Sequence, residues 1–230
     1  MNAVPMTMEQ RQDPLACVLT VNEIFLSLQG ETSRTGLPTV FVRLTGCPLR
    51  CVYCDTVHAF HGGSPMTADE IERRVAEHLP CRFVTVTGGE PLAQPEAIGL
   101  LSHLVSRGYD VQIETSGAID ISPVDRRVRV ILDIKTPGSG MEDRMDWGNL
   151  DRLKTGDELK FVLTGETDYR WARETLARRP APAGVEVLLS PAHGVLDPRE
   201  LADWMKRDGM AARLQLQIHK YIWGADCRGV

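Results

Sequence analysis

The 230-residue sequence has no apolar run long enough to span a bilayer. Its first 20 residues mix charged residues with two prolines and contain no apolar core of the length that a signal peptide needs. Low-complexity tracts, internal repeats and breaks in composition are also missing. These absences predict a cytoplasmic protein without a membrane partner, in which residues 1–20 form a flexible tail and residues 21–230 form one domain.

An excess of basic residues is missing as well. The 26 lysines and arginines are outnumbered by 31 aspartates and glutamates, which gives a formal charge of −5. Acidic and basic residues are interspersed, so no extended basic stripe is available to neutralise a phosphate backbone. The sequence therefore predicts that the protein does not bind nucleic acid.

Cysteine is scarce, and its distribution is uneven. Three of the six cysteines, Cys47, Cys51 and Cys54, lie within the stretch GCPLRCVYCDT. This is not the evenly spread framework of a small disulfide-bonded domain. Thiolates are soft ligands that favour zinc or iron–sulfur clusters, so the cluster of cysteines predicts a metal site.

Apolar, β-branched segments alternate with amphipathic segments along the chain. Start signals for helices are the capping box of Thr67 and Glu70, Pro95, and Asp197 followed by Pro198, and residues 167–179 form a further helical pattern. The eight strand candidates are residues 21–28, 39–46, 82–89, 109–116, 127–134, 158–165, 185–191 and 213–219. This alternation predicts a mainly parallel α/β sheet, closed into a barrel or open.

Polar motifs follow several of these strands, where ligands bind in such sheets. They are the cysteine loop, Thr87-Gly88-Gly89-Glu90-Pro91, Glu114-Thr115-Ser116-Gly117, Asp133-Ile134-Lys135 and His219-Lys220. We expect them to converge on one mouth of the sheet.

Two metal sites fit the spacing of the cysteines. In C-x3-C-x2-C, three sulfurs can hold three corners of a [4Fe–4S] cluster and leave the fourth iron open to a small chelating molecule. The alternative is a zinc site of three cysteines with His58, which lies four residues after Cys54. Spacing alone leaves both open.

Two motifs together resemble the radical S-adenosylmethionine (SAM) enzymes. Cys47, Cys51 and Cys54 match their CxxxCxxC signature, and Gly88-Gly89-Glu90-Pro91 matches their GGEP motif. The resemblance implies a [4Fe–4S] cluster, a SAM cofactor that yields a 5′-deoxyadenosyl radical, and a compact, incomplete (β/α) barrel.

From about residue 21 to the C-terminus, the chain resembles the 7-carboxy-7-deazaguanine synthases. The resemblance lies in NEIFLSLQGE (22–31), FVRL (41–44), CDT (54–56), IETSG (113–117) and HKYIWG (219–224). It implies rearrangement of 6-carboxy-5,6,7,8-tetrahydropterin to 7-carboxy-7-deazaguanine with loss of ammonia, in queuosine and 7-deazapurine biosynthesis. It also implies that SAM is regenerated, that Mg2+ takes part, and that an electron donor such as flavodoxin reduces the enzyme. We expect a homodimer, the commonest assembly.

The resemblance also implies site residues. For the substrate they are Leu28, Gln29, Gly30, Arg43, Thr87, His219 and Val230, with Arg43 on the carboxylate. For SAM they are Tyr53, Cys54, Asp55, Gly89, Glu90, Glu114, Asp133, Ile134, Lys135, Ser190, Pro191, Ala192 and His193. For metals they are Cys47, Cys51 and Cys54 at the cluster and Thr56 at Mg2+.

Simpler interpretations stand beside these. A radical SAM activase would make a glycyl radical on a partner protein, and a zinc-stabilised binding module would have no catalysis. The carboxylates of Glu23 and Glu31 can simply be solvated, as can the imidazoles of His58 and His61. Cys227 is interpreted as a tail residue, because a thiolate closing the cluster would block the site that SAM needs.

Overall fold

A computed structural model describes residues 18–230. Most of the predicted tail, residues 1–17, lies outside the described residues. The first strand already begins at Val18, three residues before the predicted start of the domain. The reason is pairing with a distant part of the chain: Val18, Leu19 and Thr20 lie opposite residues 65–67 of a short strand, and Leu19 is fully buried.

The described chain contains nine strands and six α-helices. The strands are β1 (Val18–Leu28), β2 (Pro38–Leu44), β3 (Ser64–Thr67), β4 (Phe83–Gly88), β5 (Asp110–Thr115), β6 (Arg129–Ile134), β7 (Glu158–Leu163), β8 (Glu186–Pro191) and β9 (Arg213–Leu214). The helices are α1 (Ala68–Ala76), α2 (Ala97–Ser106), α3 (Gly148–Arg152), α4 (Glu166–Arg178), α5 (Pro198–Asp208) and α6 (Ile218–Trp223). No helix within residues 18–230 is long and apolar enough to cross a membrane.

All nine strands form one sheet with the order β3-β1-β2-β4-β5-β6-β7-β8-β9. The seven strands β2, β4, β5, β6, β7, β8 and β9 pair in parallel in this order, whereas β1 is antiparallel to both of its neighbours, β3 and β2. The two edge strands do not pair with each other, so the sheet is not closed. The predicted α/β architecture of an incomplete barrel is confirmed.

The core forms where the helices cover the parallel strands. Val84 and Val86 of β4 are fully buried, as are Leu100, Leu101 and Leu104 of α2. Each large apolar side chain removed from water in this way stabilises the folded state by roughly 1.5–3 kcal/mol. Burial on the helical side leaves the carboxyl ends of the strands as the place where polar side chains collect.

The helix starts follow the sequence signals. Thr67 and Glu70 form the predicted capping box before α1. Asp197 caps α5, where Pro198 occupies the first turn. In both helices the cap residue accepts a backbone N–H that would otherwise have no partner.

The last predicted strand, residues 213–219, is wrong beyond its first two residues. Strand β9 ends at Leu214, and His219 lies in the first turn of α6 and not at a strand end. The alternation of Leu214, Leu216 and Ile218 imitates a strand, but the N–H of Ile218 bonds the carbonyl of Gly30 at 3.0 Å and turns the chain across the sheet. Strand β3, a four-residue edge strand that contains Pro65, was not predicted.

Candidate active site

A cavity of about 300 Å³ lies at the carboxyl ends of the central strands. Its wall takes at least one polar residue from each of five adjacent parallel strands, among them Arg43, Thr87, Glu114, Asp133 and Lys160. The cysteine loop covers one side, and residues from α6 and the C-terminus lie at the mouth. The expectation that the polar motifs converge on one mouth is confirmed.

The loop after β2 carries all three clustered cysteines, and each of them lines the cavity. Backbone hydrogen bonds fix this loop from several sides. The N–H of Gly46 bonds the carbonyl of Ala59 at 2.7 Å, and the carbonyl of Gly46 accepts the N–H of Glu90 at 2.8 Å. The N–H of Val52 bonds the carbonyl of Ser139 at 3.1 Å. The loop therefore presents its sulfurs from a fixed backbone.

The spacing of these sulfurs distinguishes between the two predicted metal sites. Within residues 18–230, the one set of three His, Cys, Asp or Glu ligand atoms that all lie within 4.8 Å of one another is Asp69, Glu72 and His103, between α1 and α2. At least one of the three distances between the cysteine sulfurs is therefore longer than 4.8 Å, whereas a tetrahedral zinc with bonds of about 2.3 Å draws its sulfurs to within about 4 Å of one another. His58 faces Glu23 at 3.5 Å. As they are placed, these four side chains do not form a Cys3His zinc site.

Two glycines let strand β4 approach the cysteine loop. A Cβ placed on Gly89 would lie 2.7 Å from the Cβ of Cys47 and closer still to the carbonyl oxygen of Gly46. A Cβ on Gly88 would overlap the carbonyl oxygen of Leu44. The glycines of the GGEP motif are therefore required by close backbone contact, which holds the cluster loop against β4.

Glu90 has a different position from the one predicted. Its side chain is fully buried behind the cavity wall and is not among the lining residues. Its carboxylate accepts the Thr115 hydroxyl at 2.9 Å and the N–H of Ser116 at 2.6 Å. Glu90 thus ties the end of β4 to the end of β5, and the direct SAM contact predicted for it is not supported by its position.

Three other predicted SAM residues also lie outside the cavity: Ile134, Ser190 and Pro191. Successive side chains of a strand point to opposite faces, so a contiguous segment cannot line one cavity throughout. Asp133 and Lys135 line the cavity while Ile134 between them is buried in the core. In the next segment, Ala192 and His193 do line it.

Arg43 reaches the cavity in an ion pair. Its Nε lies 2.6 Å from Oε1 of Glu23, and the two residues sit directly opposite each other on β2 and β1. The solvated interpretation of Glu23 is therefore wrong. The pair points the guanidinium into the cavity, where a carboxylate ligand could reach it.

Glu31 and Lys160 form a second ion pair on the cavity wall, and both side chains are largely buried. Burial would raise the pKa of Glu31, but the charge of the Lys160 ammonium and the hydrogen bonds from Gln217 and Lys160 together outweigh it, and the pKa is lowered. The side-chain amide of Gln217 also donates to Glu31 at 2.8 Å. The solvated interpretation of Glu31 is wrong, and Lys160 was missed although a lysine inside the apolar run ELKFVL is a signal in itself.

Glu114 connects two of the predicted substrate residues. Its carboxylate accepts the side-chain amide of Gln29 and the hydroxyl of Thr87, each at 3.2 Å. Burial raises the pKa of Glu114, and nearby Glu31 raises it further. All three side chains line the cavity and offer donors and acceptors to a flat heterocycle.

Helix α6 and the C-terminus complete the mouth of the cavity. His219 packs so closely on Gly30 that a Cβ there would overlap its ring. Burial lowers the pKa of His219. Lys220 pairs with Asp55 at 2.5 Å, next to the last cluster cysteine. Cys227 and Val230 both line the cavity, so Cys227 belongs to the site although no role was predicted for it.

Several buried polar atoms in this cavity have no hydrogen-bond partner. They are the hydroxyl of Tyr53, Nε2 of His58 and Oδ1 of Asp133. Leaving such atoms unpaired costs free energy, so their grouping in one cavity fits a site built for polar ligands. Tyr53 and Asp133 were predicted to contact SAM, and the site therefore fits this cofactor beside the three thiols. The other oxygen of Asp133 pairs with Lys135 at 3.0 Å.

Thr56 lies at the cavity wall beside Asp55. Its hydroxyl donates to Oδ1 of Asp55 at 3.0 Å, and both residues line the cavity. A hydroxyl and waters are a suitable partial ligand set for Mg2+, which keeps most of its water shell.

Comparison with known proteins agrees with this geometry. A family model described as the radical SAM superfamily matches residues 41–138. Two proteins named 7-carboxy-7-deazaguanine synthase are similar over nearly their whole length. The one from Chlorobaculum tepidum is 45% identical and covers 92% of this chain and 97% of its own. The one from Koribacter versatilis is 42% identical and covers 92% of this chain and all of its own.

A solved structure has the same fold. The crystal structure of QueE from Escherichia coli superposes with a TM-score of 0.73 at 25% identity. The match covers 86% of this chain and 93% of that one. Sequence and fold comparisons thus lead to the same relatives.

Proposed function

The chain belongs to the 7-carboxy-7-deazaguanine synthase family of the radical SAM superfamily, and from this membership we infer that it rearranges 6-carboxy-5,6,7,8-tetrahydropterin to 7-carboxy-7-deazaguanine. The product equals the substrate minus ammonia, so the reaction removes no net electrons. This balance agrees with a SAM molecule that is regenerated. The observation that carries the proposal is the shared cavity of three cysteines, Arg43 and the paired Gln29 and Glu114.

The three cysteines are the residues that would hold the [4Fe–4S] cluster, and they leave one iron for SAM. When bound, these groups would supply 5′-deoxyadenosyl radical chemistry to the substrate carbon that carries the carboxylate. Burial raises the pKa of Cys47 and of Cys51, and coordination by metal deprotonates such thiols. The protein itself contributes position and exclusion of water.

The substrate side of the cavity is assigned from its polar groups. Arg43 would bind the carboxylate, because its guanidinium can donate two parallel hydrogen bonds. Gln29, Thr87 and Glu114 would bind the edge of the heterocycle, and His219 would close over it from α6. Leu28, Gly30 and Val230 complete this wall.

The remaining lining residues are assigned to SAM and to Mg2+. Tyr53, Asp55, Gly89, Asp133, Lys135, Ala192 and His193 would contact SAM. Thr56 would contribute one ligand to a Mg2+ ion shared with the substrate carboxylate. The support is that Asp133 and Tyr53 each carry a buried polar atom without a partner.

The proposal includes partners and location. A one-electron donor such as flavodoxin would reduce the cluster, and the enzyme would work in the cytoplasm as a homodimer. Support for a donor comes from the cysteine loop, where Val52 is 82% exposed between two cluster cysteines. The glycyl radical activase is not favoured, because the C-terminal residues Ala225 and Cys227 to Val230 line the cavity that a partner loop would need to enter.

Turnover by anaerobically reconstituted protein tests the proposal. With dithionite, SAM and the carboxylated pterin, we expect 7-carboxy-7-deazaguanine and ammonia in amounts that exceed the SAM consumed. Mass spectrometry measures 7-carboxy-7-deazaguanine and SAM. Tetrahydropterin without the carboxylate is the control substrate and should give no deazaguanine. Stoichiometric 5′-deoxyadenosine without deazaguanine would refute the assignment and favour the activase.

A further inference from the structure

His58 lies in the turn after the cysteine loop, at Val57–Phe60, and lines the cavity. Its Nε2 is buried and has no hydrogen-bond partner within the described chain. The charged atom that it faces is Oε1 of Glu23, at 3.5 Å. The side-chain amide of Asn22 donates to the carbonyls of His58 at 3.5 Å and of His61 at 3.3 Å, which fixes the turn over β1.

The same oxygen of Glu23 already accepts the Nε–H of Arg43 at 2.6 Å. Two possible donors therefore face Glu23 Oε1: Arg43 Nε at hydrogen-bonding distance, and His58 Nε2 at 3.5 Å. Both partners of the ion pair are mostly buried, with side chains 16% and 23% exposed for Arg43 and Glu23.

A substrate carboxylate bound to Arg43 would add a second negative charge beside the Glu23–Arg43 ion pair. Two carboxylates would then face a single guanidinium in a partly dehydrated site, and like charges at such distances repel. A buried carboxylate is tolerated when it is paired and hydrogen-bonded. Glu23 thus needs a second donor when Arg43 serves the substrate.

We propose that His58 is a positioning residue for the substrate carboxylate: its Nε2–H bonds Glu23 and thereby frees the Arg43 guanidinium to bind the substrate. The tautomer with the proton on Nε2 is sufficient for this role. The inference rests on the proposed function, because it assumes that Arg43 binds the carboxylate.

Equilibrium binding to the cluster-loaded enzyme with SAM, without reductant so that no turnover occurs, tests the role. In His58→Phe we expect the Kd for the carboxylated pterin to rise about tenfold, the size of one hydrogen bond to a charged group. In His58→Gln, whose amide can still donate to Glu23, the Kd should stay within about threefold of wild type. Isothermal titration calorimetry under anaerobic conditions measures both.

Three comparisons separate positioning from a structural effect. Tetrahydropterin, which lacks the carboxylate, should bind His58→Phe and wild type equally. In a Glu23→Gln background, His58→Phe should change the Kd less than about twofold, because the coupled partner is gone. His61→Phe is the matched control, since His61 is exposed three residues further along, and it should bind like wild type.

Iron content and SAM affinity equal to wild type are the criteria for a valid variant. His58→Asn is a second replacement, whose side chain is too short for its amide to reach Glu23. It should raise the Kd for the carboxylated pterin as much as His58→Phe does. An unchanged Kd, equal weakening for both pterins, or an undiminished effect in Glu23→Gln would each overturn the role of His58. A wild-type enzyme that binds both pterins equally would instead refute Arg43 as the carboxylate site, and the inference with it.

Discussion

Alanine in place of Cys51 should leave the protein unable to hold a [4Fe–4S] cluster and should reduce deazaguanine formation to the background of the unloaded protein. Cys51 is the middle ligand of the loop, and its sulfur lines the same cavity as those of Cys47 and Cys54. Two thiolates cannot replace three at a cubane whose fourth iron must stay open for SAM. Iron and sulfide analysis, the visible spectrum and product formation measure the loss.

Cys81→Ala is the matched control for this loss. Cys81 is also a free cysteine, but it lies at the other end of the sheet, where its thiol is 3.3 Å from the carbonyl of Pro38. It should load iron and turn over like wild type. A Cys51→Ala protein that retained four irons and activity would contradict the assignment of the cluster ligands.

A single methyl group on Gly89 should be nearly as damaging. In Gly89→Ala the new Cβ would lie 2.7 Å from the Cβ of Cys47 and closer to the carbonyl oxygen of Gly46. These neighbours are backbone or adjoin it, so they cannot rotate away. We expect a loss of about 2–3 kcal/mol in the free energy of unfolding, the upper range for overpacking. The displaced cysteine loop should also lower the iron content.

Gly99→Ala is the control for this substitution. Gly99 lies inside helix α2, and a Cβ there would meet nothing within 4 Å. Replacing a helical glycine with alanine should raise the free energy of unfolding by up to about 1 kcal/mol. Urea unfolding and iron analysis of both variants provide the comparison. Equal stability and equal iron content in Gly89→Ala and wild type would contradict the close contact between β4 and the cluster loop.

Local signals predicted most of the fold. Eight of the nine strands were predicted, and the capping box at Thr67 places the start of α1 correctly. The errors fall where distant contacts decide the conformation. The N–H of Ile218 bonds the carbonyl of Gly30, which lies far away in the sequence. At this contact the segment with a strand-like pattern begins helix α6.

The site was predictable where strand ends carry recognisable motifs, and less so where partners come from elsewhere. The cysteines, Arg43, Thr87 and Glu114 were predicted at one mouth and lie there. The ion pair of Glu31 with Lys160 joins residues far apart in sequence, which no local pattern shows. Glu90 matched a motif, but its buried carboxylate serves β5 and not the cavity.

In the proposed reaction, one cavity places the substrate carbon that bears the carboxylate beside the C5′ atom of SAM. Deuterium at that carbon tests this claim most directly. In the proposed reaction SAM is regenerated, so deuterium should appear in the SAM recovered after turnover, together with an excess of 7-carboxy-7-deazaguanine over SAM consumed. Deazaguanine formed while the recovered SAM stays free of deuterium would contradict the account.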